Sequence, residues 1–429
     1  MNTKTLINND LENIIINIID EKKIKLRKIE IPKLIQLLCE LANNSSPSFR
    51  DIALQYFIKF NKKISKVSFF NIMQNHIEEF LLKIIDWILF EKHTNGNTQT
   101  NFFERILIQD STVMKLPDSA PEKYLGFVKK KGCKIQTYFD LLQNQFTDME
   151  ITPFNINDQK YSHEVKNVIK KNDLIIRDLG YFTIKSMESI DKSKAFFISK
   201  IQTTSTFYDE KGNKFDLLER LKTHSEIDVK VFITNHKLPV RIVARKLPEE
   251  VGNRRRQRKK ADKKSNPSKR SLAILGWDIL ITNIFDQSIN METLFNLYKL
   301  RWKIEIIFKT WKSYCSLTSF HERISGKQVM IYTLCRLINV LFLDKIIVSS
   351  IFNKSKLCDY LRISYQSLIK NLSTNITHLM NVSSIEEAWL IVKKIITYSL
   401  YEKRKNRVNL LELESITLNQ ISFRKWSLG

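Results

Sequence analysis

Three acidic residues have the types and positions that could hold divalent cations. Asp110 follows the apolar run RILIQ, Asp178 follows DLIIR, and Glu305 lies in a segment of helical periodicity. We expect each run to be a strand that ends at its acid, where α/β sheets usually hold their functional sites. A capping or turn aspartate is the structural alternative at Asp110 and Asp178, because such positions favour Asp.

The segment 291–314, METLFNLYKLRWKIEIIFKTWKSY, predicts one long helix that carries Glu305. At 100° per residue, Tyr298, Arg301, Glu305 and Lys312 fall within one arc of about 60°. The structural alternative is a solvated stripe in which Arg301 pairs with Glu305 at i,i+4. That alternative explains the charges, but not why a phenol and a second cation share the same line.

Carboxylates and cations on one surface suit phosphodiester chemistry. Cleavage needs an activated water and a stabilised leaving oxygen, and two metal ions about 3.5–4 Å apart supply both. Carboxylate oxygens are the ligands that Mg²⁺ prefers. Arg301 would hold a phosphate through two hydrogen bonds, and Lys312 would act as a point charge. The three acids therefore predict a two-metal site.

The order of these motifs resembles a known family. The pattern Tyr298-x2-Arg301-x3-Glu305-x6-Lys312 is similar to the Y-R-E-K signature of the insertion-sequence-4 type of DDE transposases. The segments QDSTVMKLP and IRDLGYF are similar to the family's first and second aspartate segments. The likeness covers roughly residues 100 to 330.

The resemblance implies a ribonuclease-H-like catalytic core with a β-rich insertion between the second Asp and the Glu. It implies that Asp110, Asp178 and Glu305 are the catalytic residues and the ligands of two Mg²⁺ ions, for which Mn²⁺ would substitute. It also implies that three residues contact phosphates at the transposon end, namely Tyr298, Arg301 and Lys312.

The function that the resemblance implies is cut-and-paste DNA transposition, with strand cleavage, a hairpin intermediate and strand transfer. The partners would be double-stranded DNA, both terminal inverted repeats and target, and a second copy of the chain in a homodimer. Two alternatives stay open. One is a non-catalytic or decayed relative that binds DNA as a regulator, and the other is a metal-dependent nuclease that does not join strands.

Trp277 lies 28 positions before Glu305, in LGWDILITNI. In better-known members of the family, a Trp in this region stacks on a base flipped out of the duplex. Stacking of this kind contributes about 1–3 kcal/mol per base. The alternative is that Trp277 only fills the core of the insertion.

The charge of the chain favours a polyanionic partner. Seventy Lys and Arg residues against 45 Asp and Glu give a formal net charge of +25, which attracts nucleic acid. The segment 253–270 carries ten basic residues and one acid. We expect it to be a flexible exposed loop that clamps the DNA backbone, and a merely solvated loop is the alternative. Its first basic residues, the candidate phosphate contacts, are Arg254, Arg255, Arg256 and Arg258.

The elements that must position these residues change along the chain. Helical periodicity, then strand-like runs, then helical periodicity predict an α/β protein with helical ends. The polar segment 93–101 is expected to be a linker, Gln143–Asn144 the turn of a β-hairpin, and Tyr161–Lys171 a helix. The strand-like runs are 105–110, 133–142, 145–152, 173–178, 195–203, 229–233, 239–247 and 276–284. Ser48 and Ser68 are candidate N-caps for two helices joined by a turn at 61–65, either a DNA-reading helix-turn-helix or part of a plain bundle. The expected domains are a helical N-terminal DNA-binding domain (1–95), the first part of the core (100–185), the β-rich insertion with the basic loop (186–285), the core helix (286–325) and a helical C-terminal region (326–429).

Several classes of protein are disfavoured. The five cysteines show no C-x-x-C, the N-terminus has no signal-peptide pattern, and the run Met330–Phe342 is too short to span a bilayer. No P-loop motif indicates a nucleotide cofactor, and the histidines have no metal-ligand spacing. We therefore expect a bacterial, cytoplasmic, nucleoid-associated protein. Arg177 is a departure from the family pattern. One interpretation is that its charge favours the ionised form of Asp178, and the alternative is drift in an unselected copy.

Overall fold

The computed structural model describes most of the chain. The described residues are 29–42, 47–90, 102–126, 130–202, 204–233, 238–262, 266–320, 324, 326–344, 363–375, 378–379, 382, 384–400 and 409–423. The predicted linker at 93–101 lies outside the described residues.

Within the described residues, helices precede and follow the strands, in the order that the sequence predicts. The α-helices are α1 (Ile31–Ala42), α2 (Phe49–Phe60), α3 (Lys66–Asn75), α4 (Ile77–Phe90), α5 (Asp158–Tyr161), α6 (Val165–Val168), α7 (Ile184–Lys192), α8 (Leu217–Thr223), α9 (Glu249–Ala261), α10 (Lys269–Ile274), α11 (Met291–Lys299), α12 (Trp302–Tyr314), α13 (Gly326–Phe342), α14 (Tyr365–Thr374), α15 (Ile385–Tyr398) and α16 (Leu410–Phe423). The strands are β1 (Arg105–Lys115), β2 (Gly132–Asp140), β3 (Gln145–Pro153), β4 (Asp173–Arg177), β5 (Phe196–Ser199), β6 (Phe207–Tyr208), β7 (Lys214–Phe215), β8 (Glu226–Ile233), β9 (Leu238–Lys246) and β10 (Trp277–Thr282).

All ten strands form one sheet, in the order β3-β2-β1-β4-β5-β10-β9-β8-β6-β7. Strands β1, β4 and β5 are parallel neighbours. The remaining pairings are antiparallel. The β-rich segment after Asp178 therefore extends the central sheet, because β10 pairs directly with β5.

The predicted strand runs are confirmed, and one predicted helix is confirmed only in part. The expected hairpin is formed by β2 and β3, with Asn144 in the left-handed conformation (φ 50°) in its turn. Strands β5, β8, β9 and β10 lie in the predicted runs. Residues 158–168, within and just before the helix expected over Tyr161–Lys171, are helical, but as α5, a short 3-10 turn and α6 rather than as one α-helix, and the helical residues end at Val168. Helices this short form only because tertiary contacts hold them.

The sheet separates two apolar cores because successive side chains of a strand point to opposite faces. Ile106 and Ile108 of β1 belong to the first core, which also contains α11, α12 and α13. Leu107 of β1 and Ile175 of β4 belong to the second core, with α7 and the inner faces of β8 and β9.

The N-terminal helices share the first core with α13. Tyr332 donates a hydrogen bond to the carbonyl of Pro47 over 2.6 Å, and Asn339 donates one to the carbonyl of Cys39 over 2.7 Å. Helix α13 is buried, as predicted for the run Met330–Phe342. In the described ranges, no helix has both the length and the apolar character needed to cross a bilayer.

One of the two predicted N-caps is correct. Ser48 caps α2 and forms a reciprocal capping box with Asp51, which satisfies two free amides at the start of the helix. Ser68 is wrong as a cap of α3: Ser65 is the cap, and its side chain accepts a hydrogen bond from the amide of Ser68. The turn between the helices begins at Asn61, in the left-handed conformation (φ 53°).

The long helix predicted over 291–314 is interrupted, which corrects the expectation of one core helix. Helix α11 ends at Lys299 and α12 begins at Trp302. Between them the amide of Arg301 bonds to the carbonyl of Tyr298, and that of Lys303 to the carbonyl of Leu300, both i to i−3 bonds. Such tight turns often mark hinges within helices.

The basic segment is also corrected. It was expected to be a flexible loop over 253–270, but residues 249–261 form α9 and residues 269–274 form α10. The run EEVGNRRRQRKKA has acids in its first turn and bases in its last turn, the arrangement that favours a helix through its dipole. Its almost complete lack of apolar residues hides the helix from a search for periodicity.

Candidate active site

Asp110 and Asp178 stand beside each other on neighbouring parallel strands. The β1–β4 register pairs Ile108 with Ile176 and Gln109 with Arg177. One further step along that register is Asp110 beside Asp178. Because alternate residues share a face, both side chains point to the face of Ile108 and Ile176, which is the face that α12 covers.

The position of Asp110 corrects one expectation. Asp178 follows the end of β4 as predicted, but Asp110 is in the middle of β1, which continues to Lys115. The second half of β1 pairs only with β2, since β4 stops at Arg177. Asp110 therefore lies at the point where β1 loses its partner β4, and the two acids still meet at one edge.

Glu305 reaches the same place from α12, through Arg301. The Arg301 guanidinium donates a hydrogen bond from Nη1 to Oδ2 of Asp110 over 2.9 Å, and its Nη2 lies 2.5 Å from Oε1 of Glu305. The Arg301 side chain is only 10% exposed. The i,i+4 pair is thus present, but it is a buried bridge to Asp110 rather than a solvated stripe.

The three acids and Arg301 affect one another's pKa values. Burial raises the pKa of Asp110 to about 6, Arg301 and the amide of Ser111 oppose that shift, and the charges of Asp178 and Glu305 add to it. Burial by itself would lower the pKa of Arg301, but Tyr298 and the three carboxylates raise it above its ordinary value. Like charges are held close together here at a cost that a bound cation would relieve.

The acids line one open cleft of about 560 Å³. Phe308 forms part of its wall, and Lys309, Lys312 and Ser313 lie along the exposed side of α12. Burial lowers the pKa of Lys312. The complete set of lining residues is Asp110, Ser111, Thr112, Asp178, Arg301, Glu305, Phe308, Lys309, Lys312 and Ser313.

The donor set fits a hard cation, although a guanidinium takes its place in this structure. Among the described residues, no three His, Cys, Asp or Glu side chains stand in a metal-holding arrangement. The reason is visible: the positive charge between Asp110 and Glu305 is that of Arg301. The carboxylate oxygens of Asp110, Asp178 and Glu305 are of the ligand type that Mg²⁺ and Mn²⁺ accept.

Lys200 is a cation of this site that the sequence analysis missed. The register that pairs Arg177 with Ser199 puts Lys200 beside Asp178 at the same edge. Its Nζ lies 4.9 Å from the centre of the Tyr298 ring and forms an ion pair with Asp278. Burial raises the pKa of Tyr298 and lowers that of Lys200. The signal was available, since Lys200 follows an apolar strand run just as Asp178 does.

Trp277 is not among the residues that line the cleft. It begins β10 and is half-buried against the second core, together with Ile279. The next residue, Asp278, faces the other way and reaches Lys200. The stacking role of Trp277 stays a prediction. Its ring packs on the second core, and the adjacent residue in β10, Asp278, points to the face of the sheet that carries the acids.

The basic residues of α9 have two different environments. Arg254 and Arg258 are exposed. Arg255 donates from Nη1 to the carbonyl of Trp277 over 3.3 Å, and Arg256 donates to the carbonyl of Leu272 over 3.3 Å. A Cβ added at Gly276 would lie 2.8 Å from Nη2 of Arg256. Arg255 and Arg256 therefore hold α9 against the start of β10.

Arg177 lies on the opposite face of the sheet from Asp178. Its side chain is fully buried on the face of the second core and donates to Oγ of Ser186 over 3.0 Å. Asp178 points to the opposite face. Burial lowers the pKa of Arg177 to about 10, and the nearby Tyr138 and Tyr181 oppose that shift. The Arg177 guanidinium is therefore part of the buried packing on the second-core face of the sheet, where it contacts Ser186.

Comparison with solved structures gives only weak similarity. A piggyBac transposase synaptic complex with hairpin DNA aligns with 90% of this chain and 79% of its own at 14% identity, with a TM-score of 0.39. A Mos1 transposase paired-end complex aligns with 40% of this chain and 59% of its own at 11% identity, with a TM-score of 0.17.

Sequence comparison is more informative. The chain is 30% identical over 245 residues to the transposase of insertion sequence element IS231B from Bacillus thuringiensis subsp. berliner, covering 51% of each protein. It is 27% identical over 335 residues to the IS1151 transposase from Clostridium perfringens, covering 70% of each. The chain thus spans about half the length of the IS231B, IS231C and IS231D transposases. Residues 101–340, more than half of the chain, match the family described as Transposase DDE domain, and the chain belongs to that family.

Proposed function

We propose that this chain is an insertion-sequence transposase that cuts its element out of DNA and joins it to a new site. The observation that carries the proposal is that Asp110, Asp178 and Glu305 line one cleft, in which buried Arg301 pairs with Asp110 and Glu305. The strand order β3-β2-β1-β4-β5, with three antiparallel strands and then two parallel ones, supports a ribonuclease-H-like core.

Asp110, Asp178 and Glu305 would hold two divalent metal ions, Mg²⁺ or Mn²⁺. The chemistry that such ions supply when bound is activation of the attacking oxygen and stabilisation of the leaving one. Asp110 must be ionised to take part, and burial makes ionisation harder. Asp110 therefore favours a cation beside it, whether Arg301 or a metal ion.

Arg301 would bind either the carboxylates of the site or a DNA phosphate. Its Nη1 and Nη2 hold two carboxylates in a fork, the geometry with which a guanidinium also holds two phosphate oxygens. When DNA enters the cleft, Arg301 would leave the acids and grip the backbone phosphate. Lys309 and Lys312 on the exposed side of α12 would bind the neighbouring phosphates as point charges.

Tyr298 and Lys200 would contact the bound DNA strand from the other side of the cleft. Lys200 lies over the Tyr298 ring and is held there by Asp278. A base flipped toward Trp277, next to Asp278 in β10, would let the strand bend tightly enough for a 3′-hydroxyl to attack the opposite strand and form a hairpin. The same acids would then serve the opening of the hairpin and the attack on target DNA.

Outside the cleft, a basic helix and the N-terminal helices supply further candidate contacts. Arg254 and Arg258 on α9 are exposed and would bind phosphates without regard to sequence. Helices α2 and α3, joined at Asn61, would read the inverted repeats. Two ends would be paired by two copies of the chain. A cytoplasmic, nucleoid-associated location would follow from these partners.

A cleavage assay on labelled transposon-end DNA with Mg²⁺ or Mn²⁺ tests the proposal. We expect Asp110→Asn, Asp178→Asn and Glu305→Gln to bind DNA but to lose cleavage by about 10³-fold or more, as expected when an electrostatic catalytic group is removed. Glu219→Gln, an exposed acid of α8, is the matched control and should cleave as wild type does. Cleavage by any triad variant at the wild-type rate would refute the assignment.

The same assay separates the alternatives. A hairpin product and joined target DNA support a transposase. Nicked ends alone support a nuclease that does not join strands. DNA binding without cleavage by the wild-type chain supports a regulator.

A further inference from the structure

A buried ion pair joins the acid-bearing helix α12 to the C-terminal helix α16. Nζ of Lys303 lies 2.8 Å from each carboxylate oxygen of Glu414. The side chains are 10% and 7% exposed, and Nζ is 5.5 Å from the centre of the Phe139 ring. Neither charge has a part in the proposed chemistry.

The pair lies where α12 most needs an anchor. Lys303 is in the first turn of α12, directly after the tight turn at Leu300–Arg301. Because α12 is not a rigid continuation of α11 at that turn, packing sets its orientation. Ile304, Ile307 and Trp311 pack in the first core, and the Lys303–Glu414 pair adds a polar contact at the first turn. At 100° per residue, Lys303 and Glu305 point in directions about 200° apart. Lys303 therefore faces α16 while Glu305 faces the cleft.

Helix α16 is a fixed partner for this anchor. Leu418 and Ile421 belong to the first core, and Leu413 packs against it. Thr417 is fully buried, and its hydroxyl donates to the carbonyl of Leu413 over 2.6 Å. A movement of α12 away from α16 would separate two opposite charges that water does not reach.

We propose that the Lys303–Glu414 pair positions Glu305 and Arg301 for cleavage, so that α16 is a brace of the active site. This inference rests on the proposed function. Loss of one partner leaves an uncompensated buried charge, which is far more harmful than loss of both. The unpaired ammonium of Lys303 would move toward water and turn the first part of α12, and Glu305 would turn with it.

Single-turnover cleavage of labelled end DNA by the full chain, with Mg²⁺ and saturating enzyme, tests this inference. We expect Glu414→Gln to slow cleavage by about tenfold to a hundredfold, the cost of displacing a catalytic group by about 1 Å. The Kd for DNA should change less than about twofold, because α16 contributes no residue to the lining of the cleft. The double variant Lys303→Met with Glu414→Leu should recover a rate within about threefold of wild type.

A matched control separates positioning from stability. Asp173→Asn removes the acid from another buried pair, with Arg105, at the opposite edge of the same strands. At an equal drop in Tm, it should leave the cleavage rate close to that of wild type. Equal slowing by Asp173→Asn and Glu414→Gln, or a double variant as slow as Glu414→Gln, would overturn the inference.

A second variant covers the case in which Glu414→Gln does not fold. Glu414→Asp keeps both charges but withdraws the carboxylate by one carbon, and we expect slower cleavage with a Tm near that of wild type. Wild-type cleavage by the Glu414 variants, with Glu305→Gln inactive, would overturn this inference alone. Wild-type cleavage by Glu305→Gln would instead overturn the proposed function.

Discussion

Arg301 donates a hydrogen bond to Asp110, which is 191 residues earlier in the chain, over 2.9 Å. The same guanidinium pairs with Glu305. One side chain thus joins the strand that carries the first acid to the helix that carries the third. It also fills the space between these two acids, so that a metal ion held by them, as proposed, would compete with Arg301 for the same oxygens.

Such competition predicts that removal of the Arg301 side chain increases the affinity of the site for a metal ion. We expect Arg301→Ala to bind Mn²⁺ about tenfold more tightly than wild type in the absence of DNA, because a nearby unit positive charge costs a metal ion on the order of 1.4 kcal/mol of binding free energy. Cleavage should nevertheless fall, since the phosphate fork is lost. Titration calorimetry measures the affinity, with Lys312→Ala as the control. Weaker Mn²⁺ binding by Arg301→Ala would contradict the competition.

Substitution of Trp277 distinguishes stacking from packing. Trp277→Phe keeps an aromatic face, whereas Trp277→Leu keeps most of the apolar burial and loses the face. We expect hairpin formation to fall by about tenfold in the Leu variant, in line with 1–3 kcal/mol per stacked base, and by much less in the Phe variant. First-strand nicking should be similar in both. A parallel loss of nicking and hairpin in the Leu variant would show that Trp277 only packs.

The two environments on α9 predict different salt dependence. Removal of an exposed phosphate contact, Arg254→Ala or Arg258→Ala, should lower the slope of log Kd against log salt by about one each. Arg256→Ala should leave the slope unchanged but lower Tm, because Arg256 bonds to the Leu272 carbonyl. Binding measured across a series of KCl concentrations checks this. An unchanged slope in Arg254→Ala would mean that this side chain does not reach phosphate.

Asp344 gives a prediction for stability against pH. Burial raises its pKa to about 7, while the Tyr365 hydroxyl and Lys303 oppose the shift. A raised folded-state pKa means that the stabilisation is fully present below the unfolded pKa of about 4 and is lost as pH rises through about 7. Asp344→Asn keeps the acceptor for Tyr365 and removes the titration.

We therefore expect the free energy of unfolding of wild type to fall by a few kcal/mol relative to Asp344→Asn between pH 5 and pH 8, at about 1.4 kcal/mol for each pH unit of the shift. Urea denaturation at several pH values measures the difference. Parallel curves for the two proteins would contradict a raised pKa at Asp344.

The sequence alone was sufficient for features that depend on local pattern. Apolar runs predicted β4, β5 and β8 to β10, and the capping residue Ser48 predicted the start of α2. The helical spacing of Arg301 and Glu305 predicted that their side chains lie on one face, and in the structure they form an ion pair. These features follow from interactions between residues that are close along the chain.

Only the tertiary structure decided where the acids meet and what holds them. Asp110 is at the sheet edge because β4 ends beside it, not because β1 does. The tight turn at Leu300–Arg301 contains neither Gly nor Pro, so no residue type marks it. Lys200 joins the site through strand pairing, and Glu414 supports it through a contact 111 residues away. Such placements depend on packing between distant segments, which local periodicity does not encode.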